Sequence, residues 1–252
     1  MPYRQAPASP CSPRTYVLVH GAWHGGACWQ RVADILAAQG QRVFTPCLSG
    51  LGTRAHLFSP AVNLQTHVDD VIALVKEERL RNIVLVGHSY AGLVISGAAD
   101  SLRDRVSHYI YLDAAVPEEM RPGASMRWSD FNTPAERTAR LKTARDFGNG
   151  AGLPAPPAAA FGVTDPADAA WLEQHMRPMP LPAYTDAFVF ANSGSAGMRR
   201  TYIAASRPPY ASLAPIRERL RSDPTWSFTT IDSGHDAMLT APAALGSLLL
   251  LP

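Results

Sequence analysis

The chain has 252 residues, 46% of them hydrophobic and 17% charged, which is enough for one large domain or two small ones around a substantial core. Its formal net charge is only +2, and lysine and arginine are spread along the chain without a basic stripe, which argues against nucleic acid as a partner. Its apolar runs fall short of the roughly 18 residues that a membrane span needs, so we expect no membrane partner.

The N-terminal segment, MPYRQAPASPCSPR, lacks the apolar core of a secretory signal, and we predict that residues 1–14 form a flexible tail. The three cysteines, Cys11, Cys28 and Cys47, have neither metal-binding nor redox spacing. A sparse, odd set of cysteines is typical of free thiols in a reducing compartment, which predicts a cytoplasmic location.

From residue 15 onward, short apolar runs alternate with helical patterns. In chain order the segments are TYVLVHG (strand), CWQRVADILAAQG (helix, ended by Gly40), QRVFTPC (strand), LQTHVDDVIALVKEE (helix), NIVLVGH (strand), AGLVISGAADSL (helix) and SHYIYLDA (strand). Alternation of this kind predicts an α/β fold, in which helices cover both faces of a parallel sheet.

The alternation stops between residues 117 and 190, where the chain is rich in proline, alanine and glycine. Two helices are expected there, around TPAERTARLKTARDF and PADAAWLEQHM, and no strand alternation appears. We predict that residues 117–190 form a helical cap inserted into a core of residues 15–116 and 191–252. The core resumes with RRTYIAAS (strand), APIRERLRSD (helix), WSFTTIDSG (strand) and APAALGSLLLL (helix).

The segment GHSYAG fits the pattern G-x-S-x-G, with Gly87 and Gly92 on either side of Ser89. A bare match is weak, but this one follows a predicted strand and opens a predicted helix, which is the context that a nucleophilic serine requires. The glycines remove side chains that would collide in so tight a turn. We therefore predict that Ser89 is a nucleophile; the alternative is an N-capping serine.

An oxyanion needs two hydrogen-bond donors, and the backbone offers candidates for both. The amide of Tyr90 follows the serine at the start of a helix. The amide of Ala22 follows Gly21, where the first strand turns beside the serine. The alternative for Ala22 is an ordinary glycine-rich loop.

A serine hydroxyl is a weak nucleophile until a base removes its proton. In a sheet of this type we look for the base on a loop after a late strand, and His235 in IDSGHDAMLTAP has that position. The alternative is a surface histidine. The other seven histidines precede the serine, adjoin it, or lie in a strand or the cap: His20, His24, His56, His67, His88, His108 and His175.

The segments VHGAWHGGACW, GHSYAG and GHDAMLTAP resemble those of the α/β-hydrolase fold. More narrowly, they are similar to plant methylesterases, hydroxynitrile lyases and bacterial esterases of the pyrethroid-hydrolase type. The resemblance implies a mostly parallel central sheet with an inserted cap, with Ser89 as nucleophile, His235 as base, and Ala22 and Tyr90 as oxyanion donors. It also suggests a homodimer.

Two departures from these relatives bear on function. Hydroxynitrile lyases have a threonine and a lysine where this chain has Gly21 and Asp236, so lyase activity is not expected. The family usually places an aspartate after the strand that corresponds to RRTYIAAS. Here that loop contains Ser206, Arg207 and Tyr210, and no carboxylate.

We predict that Asp113 replaces the missing acid. It ends the strand that follows the nucleophile's helix, and active sites of open parallel sheets lie at such strand ends. A carboxylate there needs a partner, and His235 would be a natural one. The alternatives are a structural role for Asp113, a Ser–His dyad helped by water, or another carboxylate: Asp223, Asp232 or Asp236.

We expect an apolar pocket in which Trp23, Trp128 and Phe131 contact the substrate. The predicted function is hydrolysis of small to medium uncharged apolar or aromatic carboxylic esters through an acyl-enzyme. The alternatives are lactone or thioester hydrolysis, cofactor-free oxygenation or carbon–carbon cleavage, and a slow or inactive ligand sensor. Because the sequence has no phosphate-binding loop, nucleotide fingerprint or metal-ligand spacing, no cofactor or metal is expected.

Overall fold

The computed structural model describes residues 13–251 of the chain. Cys11 and all but the last two residues of the predicted tail 1–14 lie outside the described residues. Ten strands are present in this part of the chain: β1 (Thr15–Val19), β2 (Arg42–Phe44), β3 (Ile83–His88), β4 (Val106–Leu112), β5 (Ser125–Met126), β6 (Gly152–Leu153), β7 (Met179–Pro180), β8 (Phe188–Val189), β9 (Arg200–Ala205) and β10 (Ser227–Ile231).

The helices follow the predicted apolar patterns closely, and the α/β prediction is confirmed. Between residues 13 and 251 they are α1 (Gln30–Ala38), α2 (Leu64–Glu77), α3 (Ala91–Leu102), α4 (Pro134–Gly148), α5 (Pro166–His175), α6 (Pro182–Thr185), α7 (Ala214–Arg221), α8 (Ala237–Thr240) and α9 (Pro242–Leu250). None of the helices in this range is long and apolar enough to cross a membrane.

Six strands form one parallel sheet in the order β10-β9-β4-β3-β1-β2. The register aligns the carboxyl ends of its central strands: Val19 pairs with Gly87, His88 with Leu112, and Leu112 with Ile203. Side chains at the ends of β1, β3, β4 and β9 therefore meet at one edge of the sheet, where ligands of open α/β sheets bind.

Residues 117–190, where the sequence shows no strand alternation, nevertheless contain four short strands. Two antiparallel ladders lie there, one between β5 and β8 and one between β6 and β7, each of two residue pairs. Strands this short give no alternating pattern, and their partners lie far apart in the chain, so no local signal predicts them. The two expected helices of this segment are present as α4 and α5.

Candidate active site

Ser89 lies in the tight turn between β3 and α3, and its φ of +55° is unusual for a residue other than glycine. Hydrogen bonds hold this conformation: the Ser89 amide donates to the Leu112 carbonyl at 3.1 Å, and the Ser89 carbonyl accepts from Gly92 and Ala115 at 3.0 Å each. A serine held in a sparsely populated backbone region by surrounding structure is typical of a functional site.

The glycines beside Ser89 are required by close approach of the backbone. A Cβ at Gly87 would lie 2.6 Å from the Ala91 carbonyl oxygen, and one at Gly92 would lie 2.2 Å from the Ala115 carbonyl oxygen. Neither space admits a side chain, because backbone atoms on the far side cannot move away. The turn that presents Ser89 therefore depends on both glycines.

His235 lies in the loop between β10 and α8 and contacts both other residues of the predicted triad. Its Nε2 is 2.9 Å from Ser89 Oγ, and its Nδ1 is 2.7 Å from Asp113 Oδ2. An ionised carboxylate only accepts hydrogen bonds, so Nδ1 donates to Asp113 and Nε2 is left to accept the Ser89 proton. The Tyr210 ring stacks on the imidazole with centroids 4.2 Å apart.

Asp113 is fully buried at the carboxyl end of β4. Its Oδ1 accepts from the Ala205 amide and from Arg217 Nε, each at 3.2 Å, which leaves Oδ2 to His235. These bonds compensate the burial of the carboxylate. Ala205 is the last residue of β9, so the donor to Asp113 comes from the end of the strand, directly before the loop that lacks the family's usual aspartate.

The amides of Ala22 and Tyr90 have no hydrogen-bond acceptor within residues 13–251. Gly21 packs tightly beside the nucleophile, since a Cβ there would lie 3.0 Å from Ser89 Cβ. His20 Nδ1 donates to the Gly21 carbonyl at 2.8 Å, which fixes the peptide that carries the Ala22 amide. The structure thus places two free amides near the serine, as an oxyanion hole requires.

His20 itself is a neutral, oriented imidazole. Its Nε2 accepts from the Leu48 amide at 3.0 Å while Nδ1 donates to Gly21. Burial lowers the pKa of His20 to about 3, because the charged form cannot be solvated there. At neutral pH this tautomer is therefore fixed by its two bonds.

A buried ion pair lies beside the catalytic loop. His24 Nε2 is 2.8 Å from Asp236 Oδ2, and His24 Nδ1 donates to the Ala22 carbonyl at 2.6 Å. Burial opposes both charges, but each partner stabilises the other: the pKa of His24 is raised and that of Asp236 is lowered. The pair joins the loop of His235 to the loop of Ala22.

His88 adjoins Ser89 in the chain, but its side chain contacts the His235 carbonyl instead of the serine. Its Nε2 donates to the His235 carbonyl at 3.1 Å, and its Nδ1 has no partner in the part of the chain that the structure describes. Burial, followed by the nearby His235, lowers the pKa of His88 well below its usual value. His88, His235 and Asp236 have ligand-type atoms within 4.8 Å of one another, but both His235 nitrogens already bond to Ser89 and Asp113.

A cavity of about 420 Å³ opens beside His235. Most of its lining residues are apolar, but Glu136 and Arg140 of α4 add two charged groups that the sequence analysis did not expect there. Helix α4 is polar around its circumference, and its sequence therefore does not indicate which face turns toward a cavity. The other lining residues include Phe161, Tyr210 and Ser212.

The three predicted substrate contacts lie at different places around this cavity. Trp23 and Trp128 are nearly buried, pack edge to face with ring centroids 5.3 Å apart, and are not among the residues that line it. Phe131 lines a neighbouring cavity of about 1110 Å³, which shares Glu136 and Ser212 with the first.

Sequence reasoning did not identify Arg217, Arg140 or the His24–Asp236 pair as parts of the site. Each acts through a contact between distant segments: Arg217 lies 104 positions from Asp113, and His24 lies 212 positions from Asp236. The one available signal was a charged residue, Asp236, directly after the predicted base.

Comparison with known proteins agrees with the resemblance stated from the motifs. The sequence profile of the alpha/beta hydrolase family matches residues 16–247. A protein of a Nocardioides species, named carbendazim hydrolyzing esterase, is 36% identical over 242 residues, which cover 93% of this chain and 97% of the relative. Methylesterase 2 of Arabidopsis thaliana is 32% identical over 114 residues, covering 41% of this chain and 40% of the plant protein.

Among solved structures, an extracellular alpha/beta-hydrolase from a Paenibacillus species superposes with a TM-score of 0.80 at 20% sequence identity. The match covers 94% of this chain and 98% of that one. At this identity the likeness supports the fold and nothing further.

Proposed function

The chain belongs to the alpha/beta hydrolase family, and on that premise we propose that it is a serine-dependent carboxylic ester hydrolase. The observation that carries the proposal is the unbroken hydrogen-bonded chain from Ser89 Oγ through the His235 imidazole to Asp113, with distances of 2.9 and 2.7 Å. Two relatives are named as esterases, which supports esters as the substrate class.

In the acylation step Ser89 Oγ attacks the ester carbonyl carbon while His235 Nε2 takes its proton. Asp113 stabilises the imidazolium through Nδ1, and the Ala22 and Tyr90 amides donate to the oxyanion. When the intermediate collapses, the carbon–oxygen bond to the leaving group breaks and His235 gives its proton to the departing oxygen.

In deacylation, water takes the place of the alcohol. His235 Nε2 removes a proton from water as the water oxygen attacks the acyl carbon, and then returns that proton to Ser89 Oγ as the acid leaves. The same base and the same two amides serve both halves of the reaction. The cycle needs no group beyond this chain's own residues and water.

We propose that residues 117–190 act as a cap over residues 15–116 and 191–252, because the cavity beside His235 has walls from both parts.

A lactone or thioester would undergo the same attack, and we keep both as secondary substrate classes. The ligand-sensor alternative rested on the missing family aspartate, and the contact of Asp113 with His235 removes that support. A cytoplasmic location and a homodimer remain predictions from the sequence.

The proposed triad of Ser89, His235 and Asp113 can be tested by substitution. We expect the protein to hydrolyse p-nitrophenyl acetate and butyrate, Ser89→Ala to be inactive, and Asp113→Asn to lose about 10⁴-fold in kcat, because the imidazole then has neither its oriented tautomer nor its counter-charge. A fluorophosphonate probe should label wild type and not Ser89→Ala.

The matched control is Asp232→Asn, which neutralises an exposed carboxylate paired with Arg207, three positions before His235. It should retain full activity. If Asp113→Asn retains near-wild-type kcat, Asp113 is structural and the serine works with another acid or as a dyad. If the probe labels neither protein, Ser89 is not an activated nucleophile and the hydrolase proposal fails.

A further inference from the structure

We propose that Arg140 forms a carboxylate-binding subsite, so that the preferred esters bear an anionic group away from the scissile bond; this rests on the proposed ester hydrolysis. Arg140 lies on α4 and lines the same 420 Å³ cavity as His235. A substrate seated against the base therefore has access to this guanidinium.

The guanidinium is held against three aromatic rings. Its central carbon lies 5.4 Å from the ring centroid of Trp128, 5.7 Å from that of Trp23 and 5.8 Å from that of Tyr184. These distances are within the range of cation–π attraction, which positions the charge while leaving the N–H edge free for hydrogen bonds.

The rings that hold Arg140 are themselves fixed. Trp23 Nε1 donates to the Leu153 carbonyl at 3.0 Å, and the Tyr184 hydroxyl donates to Asn132 Oδ1 at 2.9 Å. An arginine on a rigid aromatic support loses little freedom when it binds a ligand. This is the arrangement expected of a recognition residue rather than of a solvated surface arginine.

The N–H groups of Arg140 have no protein acceptor. A guanidinium carries five donors, and within residues 13–251 none of those of Arg140 enters a hydrogen bond or an ion pair. By contrast, Arg31 on α1 binds both oxygens of Asp168, and Arg217 binds Asp113. A half-buried, unpaired guanidinium in a cavity that His235 also lines is matched best by a carboxylate, which it can bind through two parallel bonds.

Glu136 lies one helical turn before Arg140, and within residues 13–251 the two side chains form no ion pair. Its carboxylate accepts from the Thr133 amide at 2.7 Å in the capping box that begins α4. That bond lowers the pKa of Glu136 and keeps the carboxylate at the helix start. Glu136 is exposed, so water screens its charge more than that of Arg140, which is half-buried against the rings.

Aromatic contacts also connect Arg140 with His235. Trp23 directly follows the proposed oxyanion donor Ala22 and packs against Phe161 at 5.9 Å, and Phe161 in turn stacks on His235 at 6.1 Å. The cation and the base are thus linked through two ring-to-ring contacts and line one cavity. We therefore choose as the probe an aryl ester whose single ring bears the carboxylate.

The test compares two acetate esters of equal size, 4-acetoxybenzoate and 4-acetoxybenzamide. We expect Arg140→Gln to lower kcat/KM for the benzoate about 10- to 100-fold, mainly by raising KM, because a charge-assisted bond to the ground state is lost. For the neutral amide, the same substitution should change kcat/KM less than about threefold. Taking the variant-to-wild-type ratio for each substrate separately removes the difference in leaving-group reactivity.

Arg140→Lys keeps the charge without the planar fork and should recover part of the benzoate activity. Arg145→Gln, an equal change of charge at an exposed position on the same helix, should leave kcat/KM unchanged for both esters. Thermal unfolding checks that each variant is folded. If Arg140→Gln lowers kcat/KM equally for both esters, Arg140 only supports the cavity wall and the proposal is overturned.

A binding measurement separates failure of the Arg140 subsite from failure of the hydrolase proposal. Binding of 4-hydroxybenzoate to Ser89→Ala, followed by tryptophan fluorescence, requires no catalysis. Binding that Arg140→Gln abolishes supports the subsite even if wild type hydrolyses neither ester. Equal binding, or none, to the Ser89→Ala protein with and without Arg140→Gln contradicts the subsite even if wild type is an active esterase.

Discussion

At the scale of single residues, the contacts of Asp113 fit its proposed role as a displaced acid. Its two oxygens are divided between roles: Oδ2 contacts His235, while Oδ1 accepts from Arg217 Nε and the Ala205 amide. A buried carboxylate bound on one side only could rotate away from the imidazole. Arg217 is therefore a positioning residue, since it fixes the acid without touching the reacting atoms.

We predict that Arg217→Met loses about 3 kcal/mol of unfolding free energy, because it leaves the Asp113 charge buried without its cationic partner. We also expect kcat to fall about 10- to 100-fold through misplacement of the imidazole. Urea denaturation and p-nitrophenyl butyrate turnover measure the two effects.

Arg217→Lys keeps the charge and should recover part of both losses. Arg145→Met, the same change at an exposed arginine of α4, serves as the control and should change neither. A stable Arg217→Met enzyme with full kcat would show that the Ala205 amide alone holds Asp113.

The residues of the candidate site also differ in whether the sequence alone could predict them. Ser89 was predictable because the glycines of its turn are neighbours in the chain. Asp113 could be proposed because strand order places it at the correct edge of the sheet. Arg217 and Arg140 could not, since an arginine on a polar helix has no local signal that distinguishes a buried contact from a solvated one.

At the scale of elements, the two loops that carry the site are joined by the His24–Asp236 pair. One loop follows β1 and holds Ala22; the other follows β10 and holds His235. Because His24 also donates to the Ala22 carbonyl, the pair fixes the loop of Ala22 relative to the loop of His235. Strands and helices were predictable from periodicity, whereas this link and the two short ladders depend on tertiary contacts.

We predict that Asp236→Asn lowers the unfolding free energy by about 3 kcal/mol near pH 6, because it leaves the His24 imidazolium buried without a counter-charge. The double variant His24→Gln/Asp236→Asn should be more stable than the sum of the two single losses predicts. Urea denaturation of the four proteins completes the cycle. Additive losses would show that the two groups are not coupled as an ion pair.

At the scale of the whole molecule, the buried histidines determine the response to acid. Burial is the largest cause of the lowered pKa values of His20, His67 and His88. Between pH 6.5 and the lowered values, the unfolded chain binds protons that the folded chain does not. Stability therefore falls as pH falls through this window.

His24 changes the stability with pH in the opposite direction from His20, His67 and His88. Its pKa is raised in the folded protein, so its contribution is complete below pH 6.5 and is lost as pH rises through the folded value. Asp236, whose pKa is lowered, contributes above pH 3.8 and loses that contribution only in stronger acid. From these groups together we expect a stability maximum near pH 6.5, with a steep acid side.

His20 allows this expectation to be tested quantitatively. With a pKa of about 3 in the folded protein against 6.5 for the free side chain, its neutral state accounts for a loss of about 2 kcal/mol between pH 7 and pH 5. The melting temperature of wild type should therefore fall over this range. It should fall less steeply in His20→Gln, which cannot titrate, although that variant starts from a lower value because it loses the fit to Gly21 and Leu48. The exposed His56→Gln serves as the control and should keep the wild-type slope. An unchanged slope in His20→Gln would mean that His20 is protonated or released from its bonds well above pH 5.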